Sequence, residues 1–172
     1  MVIEPGYVRM MARYNAWQNR QLSESLDGVP LDVLRADHGA FFGSVLGTLN
    51  HILWADRLWM SRFAPDLQAA PEGGIEASTE LCPTFGVWDA ERFACDGLIT
   101  RWAKRLHAVD LTGELRFHSA SLGREATSPV ARCVTHFFNH QTHHRGQVHA
   151  MLTKSKIEAP VSDLFLMPED DA

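Results

Sequence analysis

From Ala40 to Phe63 the chain places Phe42, Val45, Leu46, Leu49, Ile52, Leu53, Trp59, Met60 and Phe63 at steps that wrap most of a helix. A helix apolar over so wide an arc must be covered on more than one side, which requires several packed neighbours. The chain supplies them. Tyr7, Met10, Met11, Tyr14, Trp17, Leu22 and Leu26 trace a helical face over about residues 6–27, stopped by Asp27-Gly28 and Pro30. Val87, Trp88, Phe93, Leu98, Ile99, Trp102 and Leu106 define a third helix over about 85–109. A fourth is expected over about 128–153, with Ser128 as its cap and Pro129 in its first turn. The pattern predicts an all-α, four-helix bundle formed as one domain over residues 1–172.

The connections are equally informative. Leu31–Asp37 is long enough for one or two helical turns. Residues 64–84 hold three prolines and a Gly-Gly without a period, and a loop that long points to a lid or a subunit contact. Between Leu111 and Thr127 the alternation Leu115-Arg116-Phe117, followed by Ser121-Leu122-Gly123, predicts a small hairpin before the last long helix. In the tail, Leu164–Met167 is an apolar patch expected to pack back on the bundle, and the acidic end from Glu169 to Ala172 is expected to fray.

Composition excludes several classes. Sixteen Lys and Arg against 21 Asp and Glu give a net charge of −5, and no basic stripe interrupts it, which argues against nucleic-acid binding. Cys82, Cys95 and Cys133 form no C-x-x-C pair, and an odd count is no disulfide framework. No segment has the length of a membrane span or the pattern of a secretory signal, so a cytoplasmic protein is expected.

Histidine stands out. Of nine in the chain, five are His136, His140, His143, His144 and His149. At about 100° per residue, His136, His140, His143, His144 and Gln147 share an arc of about 100°, while His149 faces away. Two imidazoles at i and i+4 make a two-point claw for a transition metal. His140 with His144 has that spacing, and so does His136 with His140. In a bundle the remaining ligands come from facing helices. His51 is flanked by Leu49, Ile52 and Leu53, where an unpartnered imidazole is costly. A triad of His51, His140 and His144 would leave a fourth position for water or substrate. The segment His140–His144 has the spacing of H-E-x-x-H peptidases, but Gln141 stands where their glutamate base would be, and a neutral amide cannot take the proton. No Glu-x-x-His pair, P-loop, G-x-S-x-G or G-x-G-x-x-G occurs.

The stretch Asn139-His140-Gln141-Thr142-His143-His144-Arg145-Gly146-Gln147 resembles the H-x-x-x-H-R-G-Q signature of the DinB/YfiT-like metalloenzymes. Gly47-Thr48-Leu49-Asn50-His51-Ile52-Leu53-Trp54-Ala55-Asp56, with Trp59, resembles that family's second-helix motif. Tyr14–Asn19 and Asp163-Leu164 are similar to its ends, so the likeness spans nearly the whole chain. This is the damage-inducible bundle family, not the polymerase that shares the name. The resemblance implies a homodimeric four-helix bundle with one divalent metal, zinc or nickel, held by His51, His140 and His144. It further implies thiol-transferase or isomerase chemistry on small molecules, with low-molecular-weight thiols such as bacillithiol or mycothiol.

Around that triad, His136, His143, Arg145, Gln147 and Asp56 are candidates for supporting the ligands or contacting substrate. Arg145 is the local candidate for an anionic group, or else a surface ion pair; Gln147 shares the histidine face and is placed to orient a ligand. Asp56, about 140° round from His51, is expected to satisfy an arginine or a histidine rather than bind metal. No catalytic residue is assigned. Three functions stay open: a metal-dependent thiol transferase, a metal-dependent hydrolase, and a non-enzymatic metal-binding, stress-responsive dimer.

Overall fold

A computed structural model describes residues 2–119 and 122–169. Four long helices carry the architecture: α1 (Pro5–Leu26), α3 (Val45–Phe63), α4 (Phe85–Arg105) and α5 (Val130–Lys154), with a short α2 (Leu31–Arg35) between the first two. Helix α1 packs on α4 and α3 on α5. Leu26, Leu49, Leu53, Met60, Trp88, Ile99, Phe137 and Leu152 form the core between them. The Trp88 indole N–H donates to the Leu49 carbonyl at 3.0 Å, so even the core's polar edge is satisfied. Among the described residues no helix is long and apolar enough to cross a membrane.

The helix starts show where local chemistry overrides periodicity. Helix α3 begins at Val45, not Ala40, because Gly39 and Gly43 take φ of 71° and 72° and hold residues 36–44 as a tight loop. Ser44 then caps it, accepting from the Gly47 N–H at 3.0 Å. Thr84 caps α4 in the same way through Val87 at 3.4 Å. That helix ends at Arg105, short of the expected 109, and residues Ala108–Leu111 form a separate 3-10 turn.

The hairpin is present, with β1 (Glu114–Ser119) antiparallel to β2 (Arg124–Pro129) and Leu115 opposite Ser128. The intervening residues 120 and 121 lie outside the described residues. Ser128 therefore belongs to the ladder and does not cap α5, whose first residue is Val130 and whose N-terminus has no side-chain cap. The tail departs further from expectation. Phe165 is 83% exposed, and Leu164 and Leu166 also face outward. Instead, α1 side chains hold the tail by its backbone: Tyr14 donates to the Ser162 carbonyl at 2.5 Å, Gln18 to Val161 at 2.7 Å and Arg13 to Pro168 at 2.8 Å. The expected fraying of residues 170–172 lies outside the described residues.

Candidate metal centre

The packing of α3 against α5 brings His51, His140 and His144 together, with one ligating nitrogen from each lying within 4.8 Å of the others. Among the described residues no other His, Cys, Asp or Glu joins this cluster. His140 and His144 lie one turn apart and meet edge-on, with ring centroids 4.4 Å apart and planes at 68°, and His51 faces both from the opposite helix at 5.2 and 4.9 Å.

Two of the three rings have their tautomers set by neighbours. The Ser78 hydroxyl donates to the Ile75 carbonyl at 2.5 Å, so its oxygen accepts from His51 Nδ1–H at 2.9 Å. On α5, Gln147 Oε1 accepts from His144 Nδ1–H at 2.7 Å. Each bond leaves the lone pair on Nε2, where a metal would be held. Gln147 also turns its amide nitrogen toward His143 Nε2 at 3.5 Å.

His51 Nε2 and His140 Nε2 lie 3.2 Å apart. Nitrogens bound to one tetrahedral zinc at about 2.0–2.1 Å would be separated by about 3.3–3.4 Å, so the spacing suits a shared cation. Burial, reinforced by His144, lowers the His51 imidazole to about 4. Burial and the four neighbouring histidines lower His140 to about 3. Burial also lowers His144, with the Gln147 hydrogen bond pulling the other way. Three neutral imidazoles with convergent lone pairs fit a borderline divalent ion.

Aromatic rings wall the cluster. Phe42 lies flat on His51, with centroids 3.8 Å apart and planes at 24°, and tilts against His144 at 5.3 Å. Trp54 flanks His51 from the other side at 6.2 Å. Phe138 belongs instead to the core, packing against Tyr7 and Phe137. The loop over residues 64–84 is a brace: its 3-10 turn Ala77–Glu80 packs on α3 and delivers Ser78. Asn50 ties it down, donating to the Thr79 and Cys82 carbonyls at 2.8 and 3.0 Å and accepting from the Cys82 N–H at 3.2 Å.

The remaining candidates separate. His136 is exposed, with its ring 5.8 Å from His140, and His143 is exposed beside His144. Asp56 is fully buried, receiving Arg92 at 2.6 Å and Gln141 at 2.9 Å. Arg145 is buried too, donating to Asn15 and lying over the Tyr14 ring, and burial lowers it to about 10. It borders a cleft of about 340 Å³ with Tyr14, Gln18 and His149, which contains none of the clustered histidines. Arg145 thus serves the interior rather than an anion at the triad. Ser78 and Phe42 were not singled out by sequence, because one sits in an aperiodic loop and the other read as helical core.

A bundle whose facing helices present three clustered histidines, two of them with lone pairs set by neighbours, defines a candidate mononuclear metal centre. The DinB family model matches residues 5–166, and the chain belongs to the DinB family. Protein DinB of Bacillus subtilis (strain 168) is 24% identical over 158 residues, covering 89% of this chain and 88% of that protein. The crystal structure of a DinB-like protein from Bacillus cereus ATCC 10987 shares the fold with a TM-score of 0.61, at 20% identity over 86% of this chain and 90% of that one.

Proposed function

We propose that this chain is a divalent-metal-dependent transferase that joins a small thiol to an electrophilic small molecule. The observation that carries the reading is a cluster of three neutral histidines with no fourth protein ligand among the described residues. His51, His140 and His144 would hold zinc or nickel, with Ser78 and Gln147 fixing two of the rings. When bound, the ion supplies the Lewis acidity that lowers the proton affinity of a coordinated thiol. Phe42 and Trp54 restrict water around His51 and keep the surroundings apolar. A carbon–sulfur bond forms as the epoxide carbon–oxygen bond breaks, the proton given up by the thiol ending on the new hydroxyl, or as the carbon–halogen bond breaks, the halide departing and the proton passing to solvent.

Hydrolysis ranks lower because it wants a dedicated base. Asp56, the carboxylate nearest in sequence to His51, is committed to Arg92 and Gln141. The working form we propose is a cytoplasmic homodimer.

The test begins with elemental analysis of protein purified without a metal-affinity step. One ion per chain, lost in His51→Ala, is expected. Loaded protein is then given several cellular thiols with epoxides or aryl halides. Conversion no faster than with His140→Ala would overturn the transferase reading.

A further inference from the structure

Eleven residues beyond His51 on the same helix, a cation sits without a paired carboxylate among the described residues. Arg62, in the last turn of α3, lies half-buried between two rings, its guanidinium carbon 4.6 Å from the Trp59 centroid and 4.5 Å from that of Phe117. Its one hydrogen bond among the described residues goes to the His118 carbonyl at 3.0 Å, and no carboxylate pairs with it there. Burial works against its charge. The hairpin supplies both Phe117 and the His118 carbonyl, so β1 fixes the plane of the guanidinium. A guanidinium carries five N–H donors in a rigid fork, and one carbonyl leaves most of them unused.

His136 contacts the same tryptophan. Its ring meets Trp59 edge-on at 5.3 Å and lies 5.8 Å from His140. It is exposed, and neither of its ring nitrogens is hydrogen-bonded to a described residue. A clamp that only docked the hairpin would need neither an exposed imidazole beside it nor a fork with spare donors.

We propose that Arg62 and His136, which both contact Trp59, form a shelf that takes a carboxylate of the small-molecule substrate while its other end reaches the three-histidine cluster. The substrate class is therefore a thiol, or its electrophilic partner, with an acidic group several bonds from the coordinating atom. His136 stands one helical turn, about 5.4 Å, from His140, and Arg62 lies farther along α3 from His51, so a carboxylate one or two bonds away falls short. This rests on the metal reading above, and the shelf explains where an anionic group would bind now that Arg145 is interior.

The test uses cobalt(II)-loaded protein and follows the visible spectrum as probes are added. The probes are mercaptoalkanoates from acetate to octanoate, each matched with the mercaptoalcohol of equal length, and imidazolyl-hexanoate matched with imidazolyl-hexanol. The shelf predicts that mid-length carboxylates bind at least about tenfold tighter than their alcohols, with little advantage for the shortest. Arg62→Gln abolishes the preference and leaves alcohol affinity within about twofold. His136→Gln, at an exposed position that does not endanger folding, reduces the preference severalfold. Equal binding of carboxylates and alcohols at every length would overturn the shelf, as would a preference that survives in both variants. If the imidazolyl pair shows the preference and no thiol binds, the shelf stands and the thiol reading falls. If no probe perturbs the metal, both fall together.

Discussion

His51 owes its orientation to one hydroxyl. Because Ser78 spends its proton on Ile75, it can only accept from His51 Nδ1–H, and the opposite nitrogen stays free for a ligand role. Ser78→Ala is expected to weaken zinc affinity about ten- to hundredfold while leaving the fold intact, measured by competition with a chromophoric chelator. The same residues set a pH dependence in the metal-free protein. Unfolded imidazoles take a proton near about 6.5, whereas in the fold His51 is lowered to about 4 and His140 to about 3. The unfolded chain therefore binds more protons throughout that interval, and stability falls as pH drops from about 6.5 towards 4. Urea midpoints across this range should show the slope, and His140→Ala should flatten it. The ligands themselves were legible because helical spacing restricts which residues can share a face. His51, His140 and His144 needed only that rule and a family likeness to choose between two i, i+4 pairs. Ser78 was not legible, since where an aperiodic loop comes to rest depends on the surface beneath it.

At the level of elements, the long connection between α3 and α4 behaves as part of the centre rather than as a cover. Asn50 holds it with three hydrogen bonds, two of them wholly buried. Removing that side chain strands the Cys82 N–H and two carbonyls, at a cost of about 1–3 kcal/mol for each group left unsatisfied. Asn50→Ala is expected to open residues 64–84 to limited proteolysis and, through loss of Ser78, to lower zinc affinity in parallel. Nicking without a change in affinity would separate the brace from the centre. The neighbouring loop has a comparable constraint. A Cβ on Gly47 would come within 2.8 Å of the Phe42 carbonyl, so the small residue lets residues 36–44 lie close enough for Phe42 to cover His51. The bundle and its hairpin could be read from periodicity, but these starts and stops could not. Phe42 has the right spacing to extend α3, and only the left-handed glycines on either side remove it from the helix. Ser128 has the right chemistry to cap α5, yet pairing with Leu115 claims it first.

Across the whole molecule the four helices are joined by a buried polar network that runs beside the centre. Asp56 of α3 receives Arg92 of α4 and Gln141 of α5, the residue next to His140. Arg92 also reaches Asp96 at 2.8 Å, Asp96 receives Asn15 and Asn19 of α1, and Asn15 accepts from Arg145 of α5. Sequence spacing could not find this network, because nothing in the α4 pattern shows that the charged Arg92 and Asp96 are buried; packing against α1 does that. The Asn15 and Asn19 positions of the family motif acquire a reason here: they satisfy Asp96 where water is excluded. Asp56→Ala would leave the Arg92 guanidinium buried with Asp96 as its one carboxylate, and breaking a buried pair costs about 3–5 kcal/mol. Asp56→Asn keeps the shape but not the charge and should cost less. Metal linkage then distinguishes a general loss of stability from damage to the site. An ion that binds the folded state at about a thousand times its dissociation constant stabilises it by about 4 kcal/mol. If Asp56 acts only on the frame, zinc should raise the midpoint of Asp56→Asn by as much as that of the unaltered protein, and should not raise that of His51→Ala. A smaller zinc increment in Asp56→Asn, seen by denaturation with and without the metal, would mean that the path through Gln141 also sets the position of His140.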